Sequence, residues 1–133
     1  MKILTGINNL ALSLALIGAM ACSSAPDNLG SLDLKAWRSD RGGCENKRSL
    51  LVESFKEEES QLLGKFIDDI GTLLGRPDIH QLGERNIKLY VYFLEEGPHC
   101  DDIKVKSDAK KAILKFNAVG LLTEITFQNR PLE

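Results

Sequence analysis

The stretch LLGKFIDDIGTLLGRPD, Leu62 to Asp78, decides the fold class. Gly64 can end one helix, and Asp68-Asp69 favour the first turn of another, because carboxylates complement the positive end of the helix dipole. Ile67, Ile70, Leu73 and Leu74 then fall at i, i+3, i+6 and i+7, a short apolar face at helical spacing. Gly75 supplies a left-handed C-cap, and Pro77 forbids continuation. The stretch reads as a short helix docked on a sheet. Asp68 and Asp69 resemble an acid/base pair, but helix-start electrostatics accounts for them without chemistry.

Downstream the apolar period changes from helical to alternating. Asp78 to Leu82 reads as a short strand and Gly83 to Asn86 as a turn. In Ile87 to Leu94, Ile87, Leu89, Val91 and Phe93 face one way and Lys88, Tyr90 and Tyr92 the other, with Glu95 to Pro98 as the stop. Residues 100–110 are charged and loop-like; Ala112, Leu114 and Phe116 form the inner face of a third strand, and residues 121–127 return as a fourth. Leu122 and Ile125 do not share a face of a regular strand, which implies a bulge or a two-sided strand. Upstream, Glu45 to Leu63 reads as a helix with Leu51, Phe55, Leu62 and Leu63 near one stripe. Glu57-Glu58-Glu59 is a solvated face, since consecutive helical residues splay and cannot converge on one atom. Leu32, Leu34 and Trp37 alternate loosely before a turn over Ser39 to Gly43, and Trp37 is expected to cover an edge of the core.

The expected fold is therefore α+β: two consecutive helices, near 45–62 and 66–74, packed on one face of a three- to four-stranded antiparallel sheet. Ile67, Ile70, Leu73, Leu74, Leu89, Val91, Phe93, Leu114 and Phe116 are expected in the core.

At the N-terminus, Met1-Lys2 precede twelve uncharged residues, Leu10 to Ala21, which end in Ala19-Met20-Ala21 directly before Cys22. A charged start, an apolar middle and small residues at the cut are the layout of a secretory signal peptide over residues 1–21. The apolar run is too short to span ~30 Å of hydrocarbon at ~1.5 Å per residue. Cys22 placed after small residues looks like a bacterial lipoprotein acceptor, lipidated on its thiol; an ordinary Ala-x-Ala cut releasing a soluble protein is the other reading. Residues 22–31, small, polar and broken by Pro26 and Gly30, read as a flexible lipid-anchored tether, and 32–130 as a single domain.

Removing residues 1–21 takes away only Lys2, leaving 16 basic against 19 acidic side chains. That balance offers no electrostatic footprint for nucleic acid. If Cys22 carries lipid, Cys44 and Cys100 remain, and in an exported protein the default is that they pair. Helix start and strand end can meet at one edge of a two-layer domain, within the ~4.4–6.8 Å Cα separation a bridge needs. Zinc held by Cys44, Cys100, His80 and His99 is a competing reading, although no C-x2-4-C or H-x3-5-H spacing supports it. A His99-Cys100 dyad is disfavoured because neighbours in an extended segment point apart. No Gly-rich phosphate loop, G-x-S-x-G or H-E-x-x-H occurs, so no cofactor and no enzymatic activity are expected. Cys100 or the Asp101-Asp102 pair are the residues an enzyme would have to use.

The order of parts resembles a known group: a cysteine acceptor, a tether, two helices, the Leu63-Gly64 … Leu73-Leu74-Gly75-Arg76-Pro77-Asp78 element, and a closing hairpin Leu114-x-Phe116 … Gly120-x-Leu122. Over roughly residues 62–127 this resembles the small outer-membrane assembly lipoproteins (SmpA/OmlA, BamE type), which share a β-lactamase-inhibitor-like fold. The chain departs from them in Phe66, where Ser or Thr usually caps the second helix, and in Cys44 and Cys100. No partner-binding motif matches residue by residue. The resemblance implies a divergent cell-envelope lipoprotein, lipid-anchored to the bacterial envelope at the outer membrane, that binds an envelope protein in membrane assembly or maintenance. The alternative is a periplasmic inhibitor or small-ligand binder. In either case Lys88, Tyr90 and Tyr92 are the candidate interaction face.

Overall fold

The computed structural model describes residues 24–133; the expected signal peptide and the Cys22 acceptor lie outside them. The fold is α+β. A two-stranded hairpin, β1 (Asn28–Leu29) and β2 (Leu32–Asp33), leads into α1 (Leu34–Ser39), which starts where Asp33 accepts the Ala36 N–H at 2.9 Å. Three short helices follow, α2 (Lys47–Leu50), α3 (Val52–Glu57) and α4 (Glu59–Leu62), then α5 (Ile67–Leu74). The sheet is an antiparallel meander in chain order: β3 (Ile79–Leu82), β4 (Lys88–Phe93), β5 (Lys111–Phe116) and β6 (Leu122–Gln128).

Several expectations need correcting. The hairpin claims part of the expected tether: Leu34 and Lys35 N–H groups donate to Asp27 O, and Ser31 N donates to Glu58 Oε1 at 2.9 Å. The domain thus begins at Asp27. The segment around Trp37 is helical, so more than two helices precede the sheet. Trp37 is not at an edge; it is fully buried, stacked on Phe55 with centroids 4.8 Å apart and tilted against Tyr92. The expected first helix is broken at Leu51 (φ −100°, ψ 0°) and at Glu58 (φ −98°, ψ 6°). Glu58 is the residue whose carboxylate holds the hairpin, and its orientation toward Ser31 coincides with the second break. Phe55 and Leu62 from the expected stripe are buried, while Leu63 is exposed.

The largest correction concerns the face of β4. Register pairs Tyr90 with Leu114 and Tyr92 with Ala112, so the tyrosines share a face with Ala112, Leu114 and Phe116. That face joins Leu34, Trp37, Phe55, Leu62, Ile70 and Leu74 in one core. Val91 and Phe93 are also buried, but on the opposite face, where the 101–110 loop and the C-terminal tail approach Phe93; Leu89 there is half-buried. β4 is apolar on both sides because both sides are covered at its C-terminal end. Alternation within the strand therefore carried no information about which side meets the helices. The bulge is present: Lys115 opposes Glu124 and Phe116 opposes Leu122, which skips Thr123 and turns both Leu122 and Ile125 inward.

α5 matches its expected limits, with Phe66 in the capping position but making no side-chain capping bond. Ile70 and Leu74 are fully buried, whereas Ile67 and Leu73 are half-buried against the same core. The two adjacent leucines therefore differ in consequence. Leu74→Ala is expected to cost about 2–5 kcal/mol, the range for a core leucine that leaves a cavity, and Leu73→Ala clearly less. Urea denaturation of both variants checks this; equal losses would mean that the inward face of α5 is misassigned.

Candidate functional site

The loop from Asp40 to Asn46 carries most of the local architecture, and its charged neighbours explain why. Asp40 is fully buried: Oδ1 accepts Glu45 N at 2.8 Å, and Oδ2 accepts the N–H groups of Lys47 at 2.8 Å and Arg48 at 3.0 Å, closing the start of α2. Arg48, 1% exposed in its side chain, pairs with Asp78, 2% exposed, at 2.7 Å. Its Nε donates to Trp37 O and its Nη1 also to Phe93 O, while the guanidinium lies over both the Trp37 and Tyr92 rings. Asp78 completes its shell with Gly42 N at 2.9 Å and Phe93 N at 2.7 Å. One guanidinium and one carboxylate thus join α1, α2, the loop, and the strands β3 and β4.

Gly42 and Gly43, at the end of the expected turn, are buried and fixed. Gly43 has φ +65°, and a Cβ there would lie 2.7–2.8 Å from backbone atoms of residues 93–95, so only glycine fits. On the far side of this turn His99, 3% exposed, stacks on Phe93 at 3.6 Å. Its Nε2 lies 2.6 Å from Gly42 O, which can only accept, so Nε2 carries the proton. Nδ1 then accepts from Ser107 Oγ at 2.9 Å, and Ser107 Oγ in turn accepts Ala109 N–H at 3.2 Å. The expected Cys44–Cys100 disulfide is present, with Cα atoms 5.9 Å apart and 56 residues between them.

Cys44, Cys100 and His99 place their ligand atoms within 4.8 Å of one another. The donor set does not suit a metal, because both sulfurs are bonded to each other and both His99 nitrogens are engaged. His80 is not part of that trio; it is exposed and sits edge-on to Tyr90 with centroids 5.0 Å apart. Cys100 has no thiol to act as a nucleophile. Asp101 and Asp102 are exposed, and Asp102 Oδ1 accepts Lys104 N.

The candidate interaction face needs the same correction as the strand. Tyr92 is fully buried, and its hydroxyl donates to Gly75 O at 2.8 Å. Tyr90 and Lys88 are half-buried on the helix-facing side. Tyr90 borders a groove of about 660 Å³ beside the disulfide whose other walls include Arg41, Arg76 and His80. Sequence reasoning missed Arg48 and the groove arginines. Arg48 did carry a signal, since it lies seven residues before Phe55, on the apolar stripe of the helix expected over residues 45–63. Arg41 and Arg76 carried none, being surface residues in two turns 35 positions apart.

Burial raises the Tyr90 and Tyr92 hydroxyls and lowers Lys111. The Tyr92 hydroxyl is held well above the ordinary tyrosine range, first by burial, then by Tyr90 and Asp78, with Arg48 opposing. Lys111, fully buried with Nζ donating to Ser107 O at 3.0 Å and Arg130 O at 2.7 Å, is lowered by burial, with Asp108 and Glu95 opposing. No family model, curated protein or solved structure matches the chain.

Two outcomes follow. Removing one partner of the buried pair, as in Arg48→Met, is expected to cost about 3–5 kcal/mol, because it strands a buried carboxylate. Arg48→Met combined with Asp78→Asn is expected to cost less than the two single changes added together; additivity in a denaturation cycle would show that the two do not act as a unit. The second outcome concerns alkaline pH. Tyr92 has a folded pKa raised above the ordinary value near 10, so its contribution is intact below that pH and lost as pH rises through it. Lys111 has a lowered folded pKa, so its own term improves stability as pH rises. Tyr92→Phe is expected to cost about 1 kcal/mol at neutral pH and to flatten the alkaline loss. Unfolding midpoints between about pH 8 and 11 measure both effects; an unchanged alkaline slope would remove Tyr92 as its source.

Proposed function

We propose that this chain is an exported lipoprotein, anchored to the bacterial cell envelope through Cys22, whose domain is a non-enzymatic binding module for an envelope partner. The observation that carries the reading is the Cys44–Cys100 disulfide. Disulfides persist in oxidising compartments, which agrees with the export signal read in residues 1–21. The polar groups in the interior support the non-enzymatic part. Asp40, Arg48, Asp78, His99 and Lys111 each spend their hydrogen bonds on other parts of the fold. Among the described residues no helix is long and apolar enough to cross a membrane. The outer membrane, and a role in its assembly or maintenance, are the specific form of this proposal that the sequence resemblance suggests.

A second reading, a binder of a small ligand, is favoured by one observation: the groove beside the disulfide carries two arginines, Arg41 and Arg76, that make no ion pair among the described residues.

The anchor is tested by fractionation and mass analysis. Cys22→Ala is expected to move the protein from the membrane to the soluble fraction, because stable attachment needs two or more acyl chains and these would be lost together. A mature N-terminal peptide with unmodified Cys22 would replace the proposal with simple secretion. A stoichiometric partner recovered from detergent-solubilised membranes would identify what the module binds.

A further inference from the structure

The groove beside the disulfide is lined by Arg41, Arg76, His80 and Tyr90. The chain as a whole has a formal net charge of −2, yet this opening of about 660 Å³ gathers two exposed guanidinium groups. Neither makes a salt bridge or a side-chain hydrogen bond among the described residues. The one acidic side chain in its lining, Asp78, is 2% exposed and already neutralised by Arg48. Asp68 acts on Tyr90 from one side, and Asp101 follows Cys100 on the rim. His80 and Tyr90 supply a ring pair and further polar atoms. Guanidinium groups present planar forks of N–H donors that suit phosphate oxygens. Both arginines stand on rigid supports: Arg41 beside the buried Gly42–Gly43 turn, Arg76 between Gly75 and Pro77.

The position of the groove selects the source of the anion. Arg38 ties the start of the domain to the segment that carries Arg76: its Nη1 donates to Pro26 O at 3.0 Å and Leu73 O at 2.8 Å, and its stem packs where a Gly75 Cβ would be, 3.1 Å from Cγ. The domain begins at Asp27, so only Ser23 to Pro26 separate it from Cys22. Five residue steps reach at most about 18 Å at ~3.6 Å each. An acylated Cys22 would therefore keep Asp27, and the Arg38 contacts beside it, within about 18 Å of the membrane surface.

We infer that the Arg41–Arg76 groove binds the phosphate of an anionic lipid headgroup at the membrane to which the chain is anchored. The inference rests on the proposed lipid anchor for its choice of source, although the binding chemistry does not. It is tested with the mature protein in neutral-detergent micelles, titrated separately with short-chain phosphatidylglycerol, short-chain phosphatidylcholine and inorganic phosphate, while the His80 and Tyr90 ring signals are followed by NMR. Phosphatidylglycerol is expected to shift both rings saturably, with the other two probes much weaker. Arg41→Gln with Arg76→Gln is expected to weaken that binding about tenfold or more, the effect of losing charge-assisted hydrogen bonds. Both side chains are exposed and unpaired, so the thermal unfolding of this variant should match that of the parent chain. Lys106→Gln with Arg130→Gln removes the same charge elsewhere and should leave binding unchanged. Equal weakening by that control, or no ring shifts with any probe, would overturn the site. Inorganic phosphate binding as tightly as the lipid would overturn the lipid assignment. Mass analysis of Cys22 is read separately, so an unmodified cysteine would defeat the anchor and not the groove.

Discussion

The Arg48–Asp78 pair is the constraint on which the other contacts depend. A guanidinium and a carboxylate removed from water are costly, and the cost is met only if every remaining donor and acceptor finds a partner. Here those partners are backbone groups of Trp37, Gly42 and Phe93, which belong to different elements. Satisfying the pair fixes where α1 ends, where the glycine turn sits and where β4 stops. Asp40 extends the arrangement by capping α2, so Arg48 is presented from a helix start that is itself pinned. The Trp37 and Tyr92 rings on the guanidinium complete its shielding and bind the polar cluster to the apolar core.

Much of this could be read from the sequence, and the failures share one physical cause. α5, the order of β3 to β6, the bulge and the disulfide each depend on local pattern or on simple cysteine accounting, and each is present. The facing of β4 depends on what lies on its other side. Ile, Leu, Val and Phe alternate with tyrosines that bury almost as much apolar surface, so period alone points both ways. Only pairing with β5, which sets Tyr92 against Ala112 and Tyr90 against Leu114, resolves it. Trp37 and the short helix around it were missed for a related reason: a six-residue helix has too little length for periodicity to declare itself.

The candidate site was less legible than the fold. Asp40 acts on residues five to eight positions later, and Asp78 on residues 15 and 36 positions away, so no local motif announces either. The disulfide was legible because oxidation state and parity limit the choices for cysteine as they do for no other side chain. His99 was singled out for its neighbour in sequence, whereas its working contacts are Gly42, Ser107 and Phe93.

The disulfide and the ion pair meet at the same loop, and this shapes what the surface can do. Closing a 56-residue separation restricts the unfolded chain by roughly 4 kcal/mol in the loop-entropy account. That effect operates on the unfolded ensemble, whereas the Asp40, Asp78 and His99 bonds determine the folded geometry of residues 40–44. Both act on the turn that carries Arg41. The side chains of Arg41 and Arg76 keep their own rotamer freedom, but the backbone beneath them does not move independently, since Gly42 is held by Asp78 and His99 and Gly75 by Tyr92. A binding surface built in this way loses little backbone entropy when a ligand arrives, which raises affinity for a given set of contacts. The buried charges are therefore structural in their contacts and, through the turns they fix, also determine the spacing at which the exposed charges are presented.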